Sequence, residues 1–199
     1  MSAPDGAPTI LSEAQGTALV RYAAAAVWSR LSGVPADGRP PMEPALRALG
    51  ASFVTLERDG SLRGCIGTLE AARPLYRDVT RNAVRAAADP RLPPVNPTEW
   101  STLDISVSVL SRTEPLAVQC LKELWAALRP GVDGLILIAG PRRATFLPAV
   151  WAKLPEPDAF VAALLIKGGW PRDELPLGAS VRRYTTISFH DAGPRSPLP

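Results

Sequence analysis

Leu62-Arg63-Gly64-Cys65-Ile66-Gly67 brings a thiol, a guanidinium and two residues without side chains into six consecutive positions. In a strand, alternation sets Arg63 and Cys65 on one face. A cation there favours the thiolate, the form of cysteine that attacks electrophiles and binds metals. The chemistry suggested is nucleophilic: Cys65 as nucleophile or transient acceptor, Arg63 as the group that activates it or holds an anionic substrate, and Gly64 and Gly67 giving access for the substrate. The competing reading is structural, a packed cysteine on a strand whose glycines mark a bulge or a close neighbouring backbone.

The flanking residues predict how this stretch is held. Ser52 to Glu57 alternates as a half-buried strand, Arg58-Asp59-Gly60 is a turn, and Ser61 to Gly67 is the returning strand of a β-hairpin. A two-residue Asp59-Gly60 loop sets Arg63 opposite Leu56, whereas a three-residue loop with Gly60 left-handed aligns Leu56 with Leu62 and Thr55 with Arg63. The second register is preferred. It gathers Val54, Leu56, Leu62 and Ile66 on one face and leaves Thr55, Glu57, Arg63 and Cys65 on the other. Glu57 then lies near Arg63 and is a candidate general base, with a cross-strand salt bridge as its alternative role.

Further along the chain, Ser12 is an N-cap for a long helix stopped by Gly33, and Glu43 to Leu49 is a short helix closed by Gly50. Pro74 opens a helix that Asp89-Pro90 ends. Thr102 to Ser111 alternates as a strand, Leu116 to Leu128 is helical, and Leu135 to Ile138 pairs with Arg143 to Leu147 as a hairpin. Pro148 starts a short helix, Asp158 opens another that ends at Gly168-Gly169, and Tyr184 to Phe189 is the closing strand. Clean βαβ units are too few for a doubly wound sheet. The expected class is α+β, a mainly antiparallel sheet flanked by helices.

Composition narrows the function. With 199 residues, 46% of them hydrophobic, the chain can bury a core as one domain or two intimate subdomains. The only cysteines, Cys65 and Cys120, lack metal-site spacing, and with one histidine, His190, they supply too few ligands for zinc. No metal and no cofactor is expected: Gly64-x-x-Gly67 lacks the Lys-Ser/Thr of a P-loop and opens no dinucleotide fingerprint. A serine triad has only His190 to draw on. A reducing, cytoplasmic location is expected, since Met1 to Pro8 has no signal-peptide pattern and no apolar run could span a membrane. The net charge is only +3 and no long basic run occurs, which argues against nucleic acid as a partner.

Several blocks occur in an order that resembles the AMMECR domain family: Phe53-Val54-Thr55-Leu56, the hexapeptide at 62–67, Asp89-Pro90-Arg91-Leu92-Pro93-Pro94-Val95, Ile105 to Ser111, Gly131 to Leu137, Ala144 to Pro148 and Lys167-Gly168-Gly169. The resemblance covers residues 12–189, setting apart a flexible arm at 1–11 and a flexible Pro-rich tail at 190–199. It implies a larger and a smaller subdomain around a cleft, with the hexapeptide at or near that cleft. It also implies a modification pathway shared with Memo-like and radical-SAM proteins, as in the AmmeMemoRadiSam system, acting on an unidentified small-molecule or protein substrate. Leu92 stands where many relatives have phenylalanine, and Asp133 where some have histidine.

Three further side chains are candidate substrate contacts, each with a structural alternative. Arg91 is an anion contact or part of a proline-stiffened connection, and Lys167 a cation for the site or a cap for its helix. Tyr184 is a hydrogen-bond donor or a strand tyrosine in the core. The alternative to an enzyme is a non-catalytic protein- or nucleic-acid-binding module that uses the same groove.

Overall fold

The computed structural model of the chain describes residues 11–36 and 38–196. In chain order its first elements are α1 (Glu13–Ser32), α2 (Pro44–Arg47), β1 (Leu49–Gly50), β2 (Ser52–Arg58), β3 (Ser61–Gly67), β4 (Arg73–Pro74), α3 (Leu75–Ala86) and β5 (Asp104–Leu110). There follow β6 (Glu114–Leu116), α4 (Leu121–Ala127), β7 (Gly134–Ala139), β8 (Arg142–Phe146), α5 (Pro157–Lys167), β9 (Ser180–Tyr184) and β10 (Thr186–Asp191). Single stretches of 3-10 helix occupy Pro97–Thr102 and Pro148–Ala152. The α+β class is borne out. The N-terminal arm lies almost wholly outside the described residues.

Two compact units share these elements. Of the described residues, the first comprises those up to Leu110 and from Ile187 on, the second residues 111–186. In the first, a four-stranded sheet of order β10-β5-β2-β3 has β2 antiparallel to both of its neighbours. Its inner face carries Val54, Leu56, Ile105 and Val107, all buried, and packs into one core with Leu19, Val20, Ala23 and Val27 of α1 and Val79, Ala83 and Ala86 of α3. The helix α1 begins in a reciprocal capping box between Ser12 and Gln15 and ends at Gly33, whose φ of 75° favours a residue without Cβ.

One buried polar cluster fastens this unit. Asp78 on α3, fully buried, accepts hydrogen bonds from the backbone N–H and hydroxyl of Ser52, from Thr68 Oγ1, from Asn82 Nδ2 and from Arg73 Nη1. It thereby holds the start of β2, the residue just after β3 and the face of α3 in one arrangement. A buried carboxylate is tolerated when donors and a cation compensate its lost hydration.

In the second unit the sheet order is β6-β9-β7-β8. Its core joins Leu135, Leu137 and Val181 to Phe160, Val161 and Leu164 of α5, with the Trp151 and Phe160 rings stacked 3.9 Å apart. Among the described residues no helix is long and apolar enough to cross a membrane.

Three expected elements are corrected. The helix at 43–49 stops at Arg47 because Leu49-Gly50 pairs with Arg73-Pro74, and Gly50 serves this contact by leaving room for the Leu75 side chain. Leu116 belongs to β6, so the helix expected from there starts only at Leu121. The closing strand is two strands: Ser180–Tyr184 lies in the second sheet and Thr186–Asp191 in the first, so one extended run serves two cores.

Replacing Asp78 with alanine orphans the buried Ser52 N–H and removes the counter-charge of Arg73. The expected loss in unfolding free energy is roughly 3–5 kcal/mol, measured by denaturant titration.

Candidate functional site

The hexapeptide forms β3 as expected, but its register is not the preferred one. Arg58 pairs with Ser61 around a two-residue turn whose Asp59 and Gly60 have φ of 50° and 72°, the mirror-image turn that matches strand twist. The pairing then shifts by one residue between Leu56 and Glu57, so Leu56 faces Gly64 and Thr55 faces Cys65. Arg63 is the extra residue of the bulge. The two-residue turn sets Leu62 opposite Glu57, where it is exposed and not part of the inner face.

The two glycines are packing sites, a correction to the expectation that they open space around the thiol. A Cβ on Gly64 would lie 1.9 Å from the Ala86 carbonyl oxygen at the end of α3, and one on Gly67 would lie 2.2 Å from the Phe53 ring. The missing side chains let a helix end and an aromatic ring close onto the strand. What they achieve is a fixed position for Cys65.

That position is defined by the segment after α3. As the edge strand of its sheet, β3 has outward N–H and C=O groups that need partners. Cys65 N–H donates to Asp89 Oδ2 at 3.0 Å, and Cys65 C=O accepts from Arg91 Nη2 at 2.7 Å. Arg91 in turn donates to Asp89 through Nε (2.9 Å), Nη2 (2.6 Å) and its backbone N–H (3.1 Å). With its peptide groups turned to this loop, Cys65 exchanges no ladder bonds with Thr55, the kind of pair in which side chains come closest. Thr55 Oγ1 accordingly donates to Cys65 Sγ at 3.3 Å.

The electrostatics follow from the contacts. The Arg91 guanidinium holds the buried Asp89 carboxyl well below the usual carboxylate range, and the Cys65 N–H adds to that shift. Asp89 raises Arg91 in return, and Cys65 also contributes to the rise. Cys65 is half-buried; its sulfur accepts from a hydroxyl and its carbonyl from a guanidinium whose side chain is 61% exposed.

The remaining candidates fall elsewhere. Arg63, expected beside the thiol, donates from Nε (2.6 Å) and Nη2 (3.0 Å) to Glu99, which lowers the Glu99 carboxyl and raises the guanidinium. Glu57 is exposed, with Leu62 and Asp104 as its cross-strand neighbours. Lys167 and Tyr184 belong to the second unit. There Lys167 Nζ donates to the Thr145 carbonyl at 2.9 Å and lies 4.9 Å from the centre of the Phe146 ring. Tyr184, 1% exposed, sets its hydroxyl 2.9 Å from Thr145 Oγ1 and donates to the Phe146 carbonyl, while its ring covers Gly134. Asp133 is buried and accepts from the backbone and guanidinium of Arg129, so the aspartate at this position anchors a turn. Among the described residues no three His, Cys, Asp or Glu side chains gather as metal ligands.

Thr55 and Asp89 are site residues that the sequence does not single out, and Glu99 is the equally unforeseen partner of Arg63. Glu99 left a signal: Asn96-Pro97-Thr98-Glu99 has the spacing of a capping box, and its reciprocal hydrogen bonds are present.

Comparison with known proteins places these features in a wider set. A sequence profile of the AMMECR1 family matches residues 20–189. The chain is 37% identical over 187 residues to a protein of Methanothermobacter thermautotrophicus, covering 92% of this chain and 97% of that one. It is 32% identical over 191 residues to protein MJ0810 of Methanocaldococcus jannaschii, covering 94% of each. The crystal structure of uncharacterized protein PH0010 from Pyrococcus horikoshii is similar with a TM-score of 0.83 at 32% identity, covering 92% of this chain and 95% of that one.

Two outcomes test this geometry. Asp89→Asn should cost roughly 1–3 kcal/mol at neutral pH by denaturant unfolding. Because the folded-state pKa of Asp89 is depressed, its contribution is complete above about pH 4 and lost as pH falls further, so the gap from the parent protein should narrow in acid. Gly64→Ala should destabilise by about 3 kcal/mol or more, since the obstructing atom is backbone.

Proposed function

The chain belongs to the AMMECR1 family, and from that premise we propose that it is a thiol-dependent enzyme or group carrier of a cytoplasmic modification pathway, with Cys65 as nucleophile. One observation carries this reading. Thr55 Oγ1 donates to Cys65 Sγ while the Arg91 cation is anchored on the Cys65 carbonyl and interacts electrostatically with that same residue. A hydroxyl donor and a guanidinium both favour the thiolate over the thiol. In this arrangement Arg91 takes the activating role that the sequence suggests for Arg63, and its exposed guanidinium also offers a contact to an anionic substrate.

The roles divide accordingly. Asp89 positions Arg91, and through the Cys65 N–H it also positions the nucleophile's own backbone. A thiolate formed in this way needs no separate base for the attacking step, so the unassigned role of Glu57 does not stand against the proposal. The Memo-like and radical-SAM proteins associated with the family are, on this reading, the source or destination of the group carried on sulfur.

The chain contains its own control, because Cys120 is the more exposed of its two cysteines. With limiting iodoacetamide near neutral pH and peptide mass spectrometry, Cys65 should be modified faster than Cys120 despite its lower exposure. Arg91→Gln should slow Cys65 about tenfold and leave Cys120 unchanged. Slower modification of Cys65 than of Cys120, with no response to Arg91→Gln, would instead favour a binding module indifferent to the sulfur.

A further inference from the structure

Within the first unit, α1 and α3 leave between them a cavity of about 810 Å³. That volume lies within the range of roughly 300–1,000 Å³ usual for small-ligand sites. Its lining is largely apolar and includes Ala26 and Val84, with the Tyr22 and Tyr76 rings 5.6 Å apart at 54°. Four arginines, and no aspartate or glutamate among the described residues, complete it.

What sets these arginines apart from other exposed arginines is that all four line one cavity. Arg77, Arg81 and Arg85 recur at every fourth residue of α3 and form one exposed row, joined by Arg30 from the last turn of α1. Like charges at that spacing repel one another along a helix. Arg58, Arg63, Arg73, Arg91, Arg129, Arg183 and Arg195 each meet a carboxylate. Among the described residues Arg30, Arg81 and Arg85 meet none, while Arg77 rests on the Tyr76 hydroxyl at 2.9 Å. Guanidinium groups that meet no carboxylate among the described residues, set around an apolar concavity, are complementary to a ligand with an apolar body and an anionic head.

We propose that this cavity binds an amphiphilic organic phosphate, its apolar body against Ala26 and Val84 and its phosphate held by Arg30, Arg81 and Arg85. Phosphate is the favoured head because its spread of charge and acceptor oxygens suits several guanidinium forks at once, where a carboxylate saturates one. The phosphate belongs either to a soluble ester or to a lipid headgroup. This site shares no residue with the thiol site and does not depend on the role of the thiol.

Isothermal titration of the full chain with 1-naphthyl phosphate tests the soluble form, with 1-naphthol and inorganic phosphate as the isolated halves. Saturable one-to-one binding is expected, with each half at least about tenfold weaker. Arg81→Glu and Arg85→Glu should each weaken it by about tenfold or more. Ala25→Trp should do the same by filling the cavity without altering its charge, with circular dichroism confirming that each variant is folded. Cosedimentation with phosphatidylcholine vesicles containing phosphatidic acid tests the lipid form. Capture that Arg81→Glu and Ala25→Trp abolish supports the same seat with a lipid source. Absence of binding in both formats, or binding that these variants leave unchanged, overturns the proposal.

Discussion

A single buried carboxylate sets the geometry around the thiol. Asp89 accepts three hydrogen bonds from Arg91 and a fourth from the Cys65 amide, so one side chain fixes both the cation and the Cys65 backbone. Neither partner could be held by its own strand or loop alone. An edge strand without the loop would leave the Cys65 peptide groups to water, and an arginine without the carboxylate would retain the full freedom of a long side chain. The pairing converts both into one rigid unit.

The surrounding architecture makes this unit possible. Gly64 lets the end of α3 close onto β3, which brings the Asp89–Arg91 segment alongside the strand at the height of Cys65. The bulge at Arg63 shifts the pairing by one so that Thr55, not Val54, stands across from Cys65. Asp78 ties β2 to α3 from the other end of the hairpin, and the Arg63–Glu99 pair fastens β3 to the 3-10 stretch. Each device is small. Together they fix the Cys65 backbone against Asp89 and Arg91.

How much of this was legible depended on the range of the interaction. Local signals held: Ser12 and Gly33 bound α1, and the alternation in Ile105, Val107 and Val109 gave a strand with one buried face. The hairpin was found, but its register turned on a bulge, and the hydrophobic pattern favoured a slip that kept Leu62 inside. The bulged register sets Gly64 where the end of α3 closes onto the strand, a contact that the hydrophobic pattern does not encode. Asp89 lay within a recognisable motif, yet its importance comes from a partner 24 residues earlier that no local rule connects to it. Asp78, Ser52 and Asn82 form the same kind of case, as polar residues whose roles exist only once the helix lies on the sheet.

The central claim is that Arg91 tunes the ionisation of Cys65. Carbon-13 NMR of the Cys65 Cβ across a pH titration reads that ionisation directly, in the parent protein and in Arg91→Gln. A midpoint below the free-cysteine value of about 8.5 that rises by roughly one unit or more in the variant is the predicted result. Midpoints that coincide in the two proteins contradict the account.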